Sequence, residues 1–327
     1  MLRDTSDSRI VLAFDTSTDM LACAVARWTP LKLGGAALEI LASADRLCRR
    51  QANVELVGSV QEALTKAGCG MPDVDAVLVG RGPGSFTGVR IGVATAKGIA
   101  CGAGLPLFGA SALDAMAWSA WKNGIRGKLA VAGDAMRGEV YPGIYLLDDE
   151  GAHRTFPAET VLKVDAAIAE WLARADHAEL TLTGNGLKKY LTKFEEAGFS
   201  TFAPEEAWYP SGEGLLRSAA LAEHELGDGD PALVLPIYTR LSDAEETERQ
   251  RLGLKEPATV ALTGVDDVLA DIHLQFRPMS VNDLKGVSKL EALTYAGTPH
   301  TPWSEKSFYE ELMQPDRSWW LAHDRGT

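Results

Sequence analysis

Cysteine is scarce in this chain and carries no pattern. The 327 residues contain four, Cys23, Cys48, Cys69 and Cys101. None forms a C-x-x-C pair, so they read as reduced thiols and give neither a zinc frame nor a disulfide scaffold. Histidine is missing where a catalytic base would be sought. None occurs in the first 152 residues, and the six present (His153, His177, His224, His273, His300, His323) form no H-x-x-x-H pair. That argues against a histidine-built metal centre, and the expected metal set is none. Long apolar runs are missing too. The longest early one, Ile10 to Phe14, is far below the roughly 20 residues that span a bilayer and too short for a secretory segment. The expectation is a cytoplasmic protein with no membrane association. Positive charge is deficient: 32 Lys+Arg stand against 45 Asp+Glu, a net charge of −13. The stretch through Arg126 is slightly basic at +2 and the remainder carries −15. An acidic back half does not suit phosphate binding, which needs clustered basic residues. A nucleic-acid partner would have to be met mostly by another protein's surface.

What is present is an ordinary globular mixture, 46 % hydrophobic and 24 % charged, able to bury a core and long enough for two or three folding units. Ile10–Phe14 and Leu21–Ala26 flank a polar Asp-Thr-Ser-Thr-Asp turn, which reads as a β-hairpin. Gly34 and Gly35 mark a turn before a strand at Leu38–Ser43. Asn53–Ala67 has helical spacing of Val54, Val57, Val60, Leu64 and Ala67, stopped by Gly68. A buried strand at Asp75–Val79 runs into a glycine-dense loop, then a helix that Ser85 or Thr87 could cap. A short strand at Leu107–Ala110 and a helix at Ala112–Ala120 follow. A second set opens with strand Lys128–Asp134 and strand Val140–Leu147. Helix Val164–Arg174, strand Glu179–Thr183, Gly184-Asn185-Gly186, a helix over Gly214–Glu225 and the segment Leu235–Arg240 complete it. The repeated order suggests two related α/β lobes. Residues 241–256 are a charged linker or helix end. From Phe276 the pattern is strand, helix, Pro-rich turn, helix (Glu305–Met313) and strand (Trp319–His323).

The densest motif is Gly80-Arg81-Gly82-Pro83-Gly84-Ser85-Phe86-Thr87-Gly88-Val89-Arg90. Its glycines would let backbone N–H groups approach an anion at a helix start. It is not a phosphate-binding P-loop, a dinucleotide fingerprint or a nucleophile elbow, and a tight structural turn explains it equally well. The following helix is nearly bald, with Gly88, Gly92, Ala94, Ala96, Gly98 and Ala100. Each glycine costs about 1 kcal/mol in a helix interior, which suggests that another backbone comes close, either within the fold or in a partner. Asp15, with Thr16, Ser17 and Thr18, sits at a hairpin tip, and Asp134 ends a strand in the second unit. Two such aspartates could hold a metal–nucleotide between lobes, although turn chemistry alone favours the same residues.

Three stretches together carry a family resemblance. VLAFDTST near the start, VGRGPGSFTGVRIGVATAKGIA at 79–100 and GDAMRGEVY at 133–141 resemble the TsaB family, also called YeaZ, and Leu235-Pro236-Ile237-Tyr238-Thr239-Arg240 is similar to its closing P-x-Y-x-R segment. The resemblance covers about residues 9–250. It implies an α/β, two-lobed actin/hexokinase-like (ASKHA) fold, with a first lobe at 1–110 and a second at 111–250. It implies a scaffold or activator that pairs with TsaD in making threonylcarbamoyladenosine beside the anticodon of tRNAs reading ANN codons, with TsaE and TsaC-type proteins completing the machinery. The tRNA would be met through the complex and not by this chain alone, and the free chain could form a homodimer. TsaD carries a metal-binding H-x-x-x-H that is missing here, so no catalytic residue is assigned. Many family members have a histidine where this chain reads Arg49-Arg50-Gln51-Ala52-Asn53. Under this resemblance the partner interface would draw on Asn53, Val57, Thr87, Gly88, Arg90, Ile91, Gly92, Thr95 and Gly98. Nucleotide or anion candidates are Asp15, Thr16, Ser17, Thr18, Gly82, Gly84, Ser85, Asp134 and Gly184. No cofactor is expected to be held tightly, with ATP or ADP and Mg conceivable only at a shared interface.

Residues 276–327, after a linker at 251–275, resemble the opening of a RimI-type N-acetyltransferase. Phe276-Arg277-Pro278-Met279 is similar to its first strand and Pro302-Trp303-Ser304-Glu305 to the start of its second helix. The acetyl-CoA pyrophosphate loop of that fold is not reached, so this part is expected to be an incomplete GNAT-like segment without acetyltransferase activity. Two enzyme readings compete with the scaffold. A peptidase needs a nucleophile–base pair or a metal-bound water, and a small-molecule kinase of the same superfold needs a complete phosphate and adenosine site.

Overall fold

The computed structural model describes residues 8–31, 36–48, 51–155, 160–221, 227–239, 274–278, 284–294, 303–312 and 320–324. The chain divides into two compact units, Met1–Thr263 and Gly264–Thr327. The Gly34-Gly35 turn, Arg49 and Arg50, Arg240, the charged segment 241–256 and the linker through residue 273 lie outside the described residues.

The first unit opens with strands β1 (Arg9–Asp15) and β2 (Met20–Pro30), then β3 (Ala36–Ser43), β4 (Arg46–Leu47), helix α1 (Ala52–Lys66), β5 (Ala76–Gly80), α2 (Phe86–Ala103) and β6 (Leu107–Ala110). The sheet order is β3-β2-β1-β5-β6. β1 and β2 form the expected hairpin, in register from Arg9 opposite Trp28 to Asp15 opposite Ala22, while β5 and β6 run parallel to β1. β5 is buried along its whole length, and its Ala-Val-Leu-Val run suits a strand covered on both faces. One face carries Leu12, Phe14, Val77 and Val79 against Leu56 and Val60 of α1 and Val89 and Val93 of α2.

The second lobe contains α3 (Ala112–Lys122), β7 (Gly127–Asp134), β8 (Glu139–Leu147), β9 (Ala152–Arg154), β10 (Leu162–Lys163), α4 (Val164–Leu172), β11 (Thr181–Thr183) and α5 (Leu187–Glu196). Its sheet order is β10-β8-β7-β11. The kernel of the first lobe recurs: β7 pairs antiparallel with β8 and parallel with β11, as β1 does with β2 and β5. The two-lobed α/β architecture expected from the sequence is the one found.

The chain then returns to the first lobe. Helix α6 (Gly212–Leu221) packs Leu215, Leu216, Ala219 and Ala220 on Val11, Ala13, Ala24 and Ala26, covering the second face of the first sheet. The division at 110 and 111 therefore does not assign α6 correctly. The reason is local: a Cβ at Gly212 would stand 2.5 Å from Ala24 N, and Asp45 Oδ1 accepts from both Cys23 N (2.9 Å) and Gly212 N (3.0 Å). Residues 227–239 also lie on the first lobe. Gly229 O accepts from Leu107 N, and Val234 enters the core under α2. Helix α3 is shared, with Leu113 and Met116 in the second lobe's core and Ala115 in the first's.

In the second unit, β12 (Leu274–Pro278) and β13 (Trp320–Asp324) pair antiparallel, from Leu274 opposite Asp324 to Pro278 opposite Trp320. Between them come α7 (Leu284–Thr294) and α8 (Glu305–Leu312). Leu284 and Phe308 are buried, and the Phe308 ring lies 5.3 Å from that of Trp303. The strand–helix–helix–strand order is that read from the sequence. No described helix is long and apolar enough to cross a membrane.

Candidate functional site

The first group of candidates gathers at the tip of the β1–β2 hairpin. Asp15 is completely buried. Its Oδ1 accepts from Ser17 N (2.9 Å) and Ser17 Oγ (2.7 Å), while Oδ2 has no partner and lies against Gly80, where a Cβ would overlap it. Burial lifts its carboxyl to a pKa of about 6, against the opposing pull of the Ser17 bonds. Thr16 donates to Gly88 O at 2.7 Å and Ser17 O accepts from Ser85 N at 2.7 Å. Thr18 closes its own turn on Met20. Ser85, not Thr87, caps α2, accepting from Gly88 N at 3.2 Å. Gly84 and Gly88 are small because Cβ atoms there would strike the carbonyls of Ser17 and Thr16. Gly82, at φ 90, takes a backbone conformation suited to glycine. The glycine-rich loop is thus stitched to the hairpin, and the Ser85 amide is already engaged.

The second group lies at the β7–β8 end. Asp134 N is held by Asn185 Oδ1 (2.8 Å), Asp134 Oδ1 accepts from Met136 N (3.0 Å), and Oδ2 is paired with Lys189. Lys188, the preceding residue, reaches Asp19 Oδ2 in the first lobe at 3.6 Å. Consecutive lysines at the start of α5 thereby meet one aspartate from each lobe. Gly184 and Gly186 have no room for a Cβ because Ala132 O lies against both, and Gly186 N donates to that carbonyl at 2.8 Å. The Gly186 amide is thus spent on the fold. Among the described residues no three acidic, histidine or cysteine side chains converge as a metal would require. Asp15 Oδ2 lies sealed against Gly80 without a hydrogen-bond partner. The buried Cys23 thiol is pushed up to about 12, chiefly by burial and further by Asp45 and Glu62, and is no nucleophile.

The interface candidates divide sharply. Gly88 and Gly92 are buried, and a Cβ at Gly92 would meet Thr16 Oγ1 at 2.5 Å. Their smallness serves the hairpin, so the expectation that they face a partner is corrected. Asn53, Val57, Thr87, Arg90 and Gly98 are exposed, with Ile91 and Thr95 half-buried. Val54 and Val57 stand out at 72 % and 58 % exposure. The sequence grouped them with Val60 and Leu64 on one face, yet α1 buries Leu56, Val60, Ala63 and Leu64. Gly58 of α1 and Gly98 of α2 have open space where a Cβ would go. Neighbouring helices therefore present a smooth face of Val54, Val57, Gly58, Ala94 and Gly98, all exposed. Such a face admits another backbone closely.

Phe86 and Tyr238, which the interface expectation did not include, flank Arg90, which it did. Arg90 Nε donates to Tyr238 Oη at 2.7 Å, and its guanidinium lies 3.8 Å over the Phe86 ring. The closing segment is laced down by Arg81, whose Nε donates to Leu235 O (2.6 Å) and whose carbonyl accepts from Ile237 N (2.8 Å). The P-x-Y-x-R signature was visible, but its contacts cross some 150 residues. Lys188 and Lys189 gave no signal beyond an ordinary charged helix.

Comparison with known proteins follows this geometry. Residues 44–207 match the family described as TsaD: tRNA N6-adenosine threonylcarbamoyltransferase. The tRNA threonylcarbamoyladenosine biosynthesis protein TsaB of Escherichia coli is 35 % identical over 206 residues, 63 % of this chain and 84 % of that protein. The Bacillus subtilis protein of the same name is 28 % identical over 241 residues, covering 72 % and 96 %. The solved structure of YeaZ from Pseudomonas aeruginosa aligns with a TM-score of 0.55 at 30 % identity, over 70 % of this chain and 99 % of that one.

Proposed function

The chain belongs to the TsaB (YeaZ) family, and from that premise we propose that it is a non-catalytic partner subunit of TsaD in the synthesis of threonylcarbamoyladenosine on tRNAs reading ANN codons. The observation that carries this reading is the exposure of Val54 and Val57 on α1, with open space over the backbones of Gly58 on α1 and Gly98 on α2. Apolar side chains at such exposure on two adjoining helices suit a protein interface. The engaged Asp134 carboxylate and Gly186 amide favour a scaffold over a kinase. The absence of a histidine base in the first 152 residues and the raised Cys23 thiol disfavour a peptidase. The tRNA and TsaE would be met through the complex, in keeping with the net charge of −13. In the absence of TsaD the same face could pair two copies of this chain. The test is co-purification with the same organism's TsaD followed by a tRNA modification assay. Modification that requires both proteins supports the reading, and modification that proceeds equally without this chain overturns it.

A further inference from the structure

Arg90 is the one cation on the outer side of α2 near its start, and its setting is unusual for a surface arginine. Its guanidinium is stacked at 3.8 Å on Phe86 and lies 5.6 Å from the Tyr238 ring, and the two rings are 5.4 Å apart. Nε is committed to Tyr238 Oη. No carboxylate among the described residues pairs with the two terminal nitrogens. Phe86 is 39 % exposed, Arg90 and Thr87 are exposed, and Tyr238 is half-buried. Tyr238 is itself immobilised, because its segment is pinned by Arg81 through Leu235 O and Ile237 N.

A free arginine loses side-chain freedom when it is held. Here stacking and the Nε bond have already restricted it, leaving an exposed two-pronged donor with no carboxylate partner among the described residues. That is the geometry a carboxylate or a phosphate accepts bidentately. The surroundings discriminate between them. A polynucleotide needs several basic groups in a row, whereas the neighbouring cations are engaged: Arg81 with Leu235 O and Lys97 with Ala232 O. A lone arginine among aromatic rings, beside an exposed apolar face, is instead the composition of a protein-interface anchor. We propose that Arg90, positioned by Phe86 and Tyr238, anchors the α1–α2 face to its protein partner by receiving a side-chain carboxylate. This rests on the partner reading above and adds the chemistry by which the partner is held.

The test is calorimetric titration of the full chain with purified TsaD at low and high salt. The variants are Arg90→Ala, Arg90→Lys and Tyr238→Phe, each with its thermal midpoint recorded. Loss of the anchor is expected to weaken binding about tenfold to a hundredfold in Arg90→Ala, and to flatten the salt dependence. Arg90→Lys recovers only part of the affinity because a point charge cannot replace the fork. Tyr238→Phe, which keeps the ring and removes only the Nε bond, weakens binding a few-fold while its midpoint stays within a degree or two of wild type. If wild type binds TsaD and Arg90→Ala binds equally well, the anchor is overturned and the partner reading stands. If wild type fails to bind TsaD at all, both fall. If the chain alone binds tRNA and Arg90→Ala abolishes it, the group received is a phosphate and the proposal is overturned.

Discussion

Gly92 lies directly under Thr16. A Cβ at position 92 would come within 2.5 Å of the Thr16 hydroxyl, the same hydroxyl that donates to Gly88 O at 2.7 Å. The bald helix therefore has two sides with different reasons for being bald. Toward the hairpin, Gly88 and Gly92 admit the β1–β2 turn; toward the outside, Gly98 and Ala94 leave a surface flat.

This separation can be measured. Gly92→Ala is expected to destabilise the protein by about 1–3 kcal/mol through overpacking against Thr16, despite alanine's better helix propensity. Gly98→Ala meets open space and is expected to stabilise by up to about 1 kcal/mol. Chemical denaturation of the two variants checks both. A stabilised Gly92→Ala protein would show that the hairpin contact does not restrain α2.

Asp15 makes stability depend on pH in an uncommon direction. Its folded pKa, raised by burial to about 6, lies above the ordinary 3.8. The folded state therefore binds the proton more tightly than the unfolded chain does. Burial of the charged form is a penalty in full above about pH 6, and it fades as pH falls through 6 toward 4. Asp15→Asn removes this term while its side-chain oxygen can still accept from Ser17. Between pH 4.5 and 7.5 the stability of the variant relative to wild type is expected to rise, by on the order of 2 kcal/mol. Parallel stability curves for the two proteins would show that Asp15 titrates like an exposed carboxylate.

The pairing of Lys189 with Asp134 bears on nucleotide binding. Titration of the isolated chain with Mg–ATP is expected to give no saturable heat, because Asp134 is paired with Lys189 and the Gly186 amide donates to Ala132 O. Saturable binding that Asp134→Ala abolishes would contradict this.

Much of the architecture was legible because it is local. The hairpin around Asp15, the strand Asp75–Val79 and the Ser85 cap each follow from a few neighbouring residues, and the structure places β1, β2, β5 and α2 there within a few residues. The orientation of α1 was not legible. Val54 and Val57 share helical spacing with Val60 and Leu64, and apolar residues facing a partner look the same in sequence as those facing the core. Only the sheet's position shows that Leu56 and Ala63 point inward. Helix α5 went unread because its sequence, LKKYLTKFEE, is mostly charged and buries just Leu187 and Phe194. The Arg90–Tyr238 bond joins residues 148 apart, and the return of α6 to the first sheet is equally nonlocal. No pattern within one segment reports such pairings.

The most direct measurement is made at Val57, which is 58 % exposed on α1. Val57→Lys keeps a good helix former on the surface of α1, so the thermal midpoint should stay within a degree or two of wild type. Sedimentation of wild type with purified TsaD should give a one-to-one complex. The variant should weaken it by about tenfold or more, since a lysine would be buried unpaired in the apolar face. A variant that binds TsaD as tightly as wild type, with its fold intact, would contradict the assignment of the α1–α2 face as the partner surface.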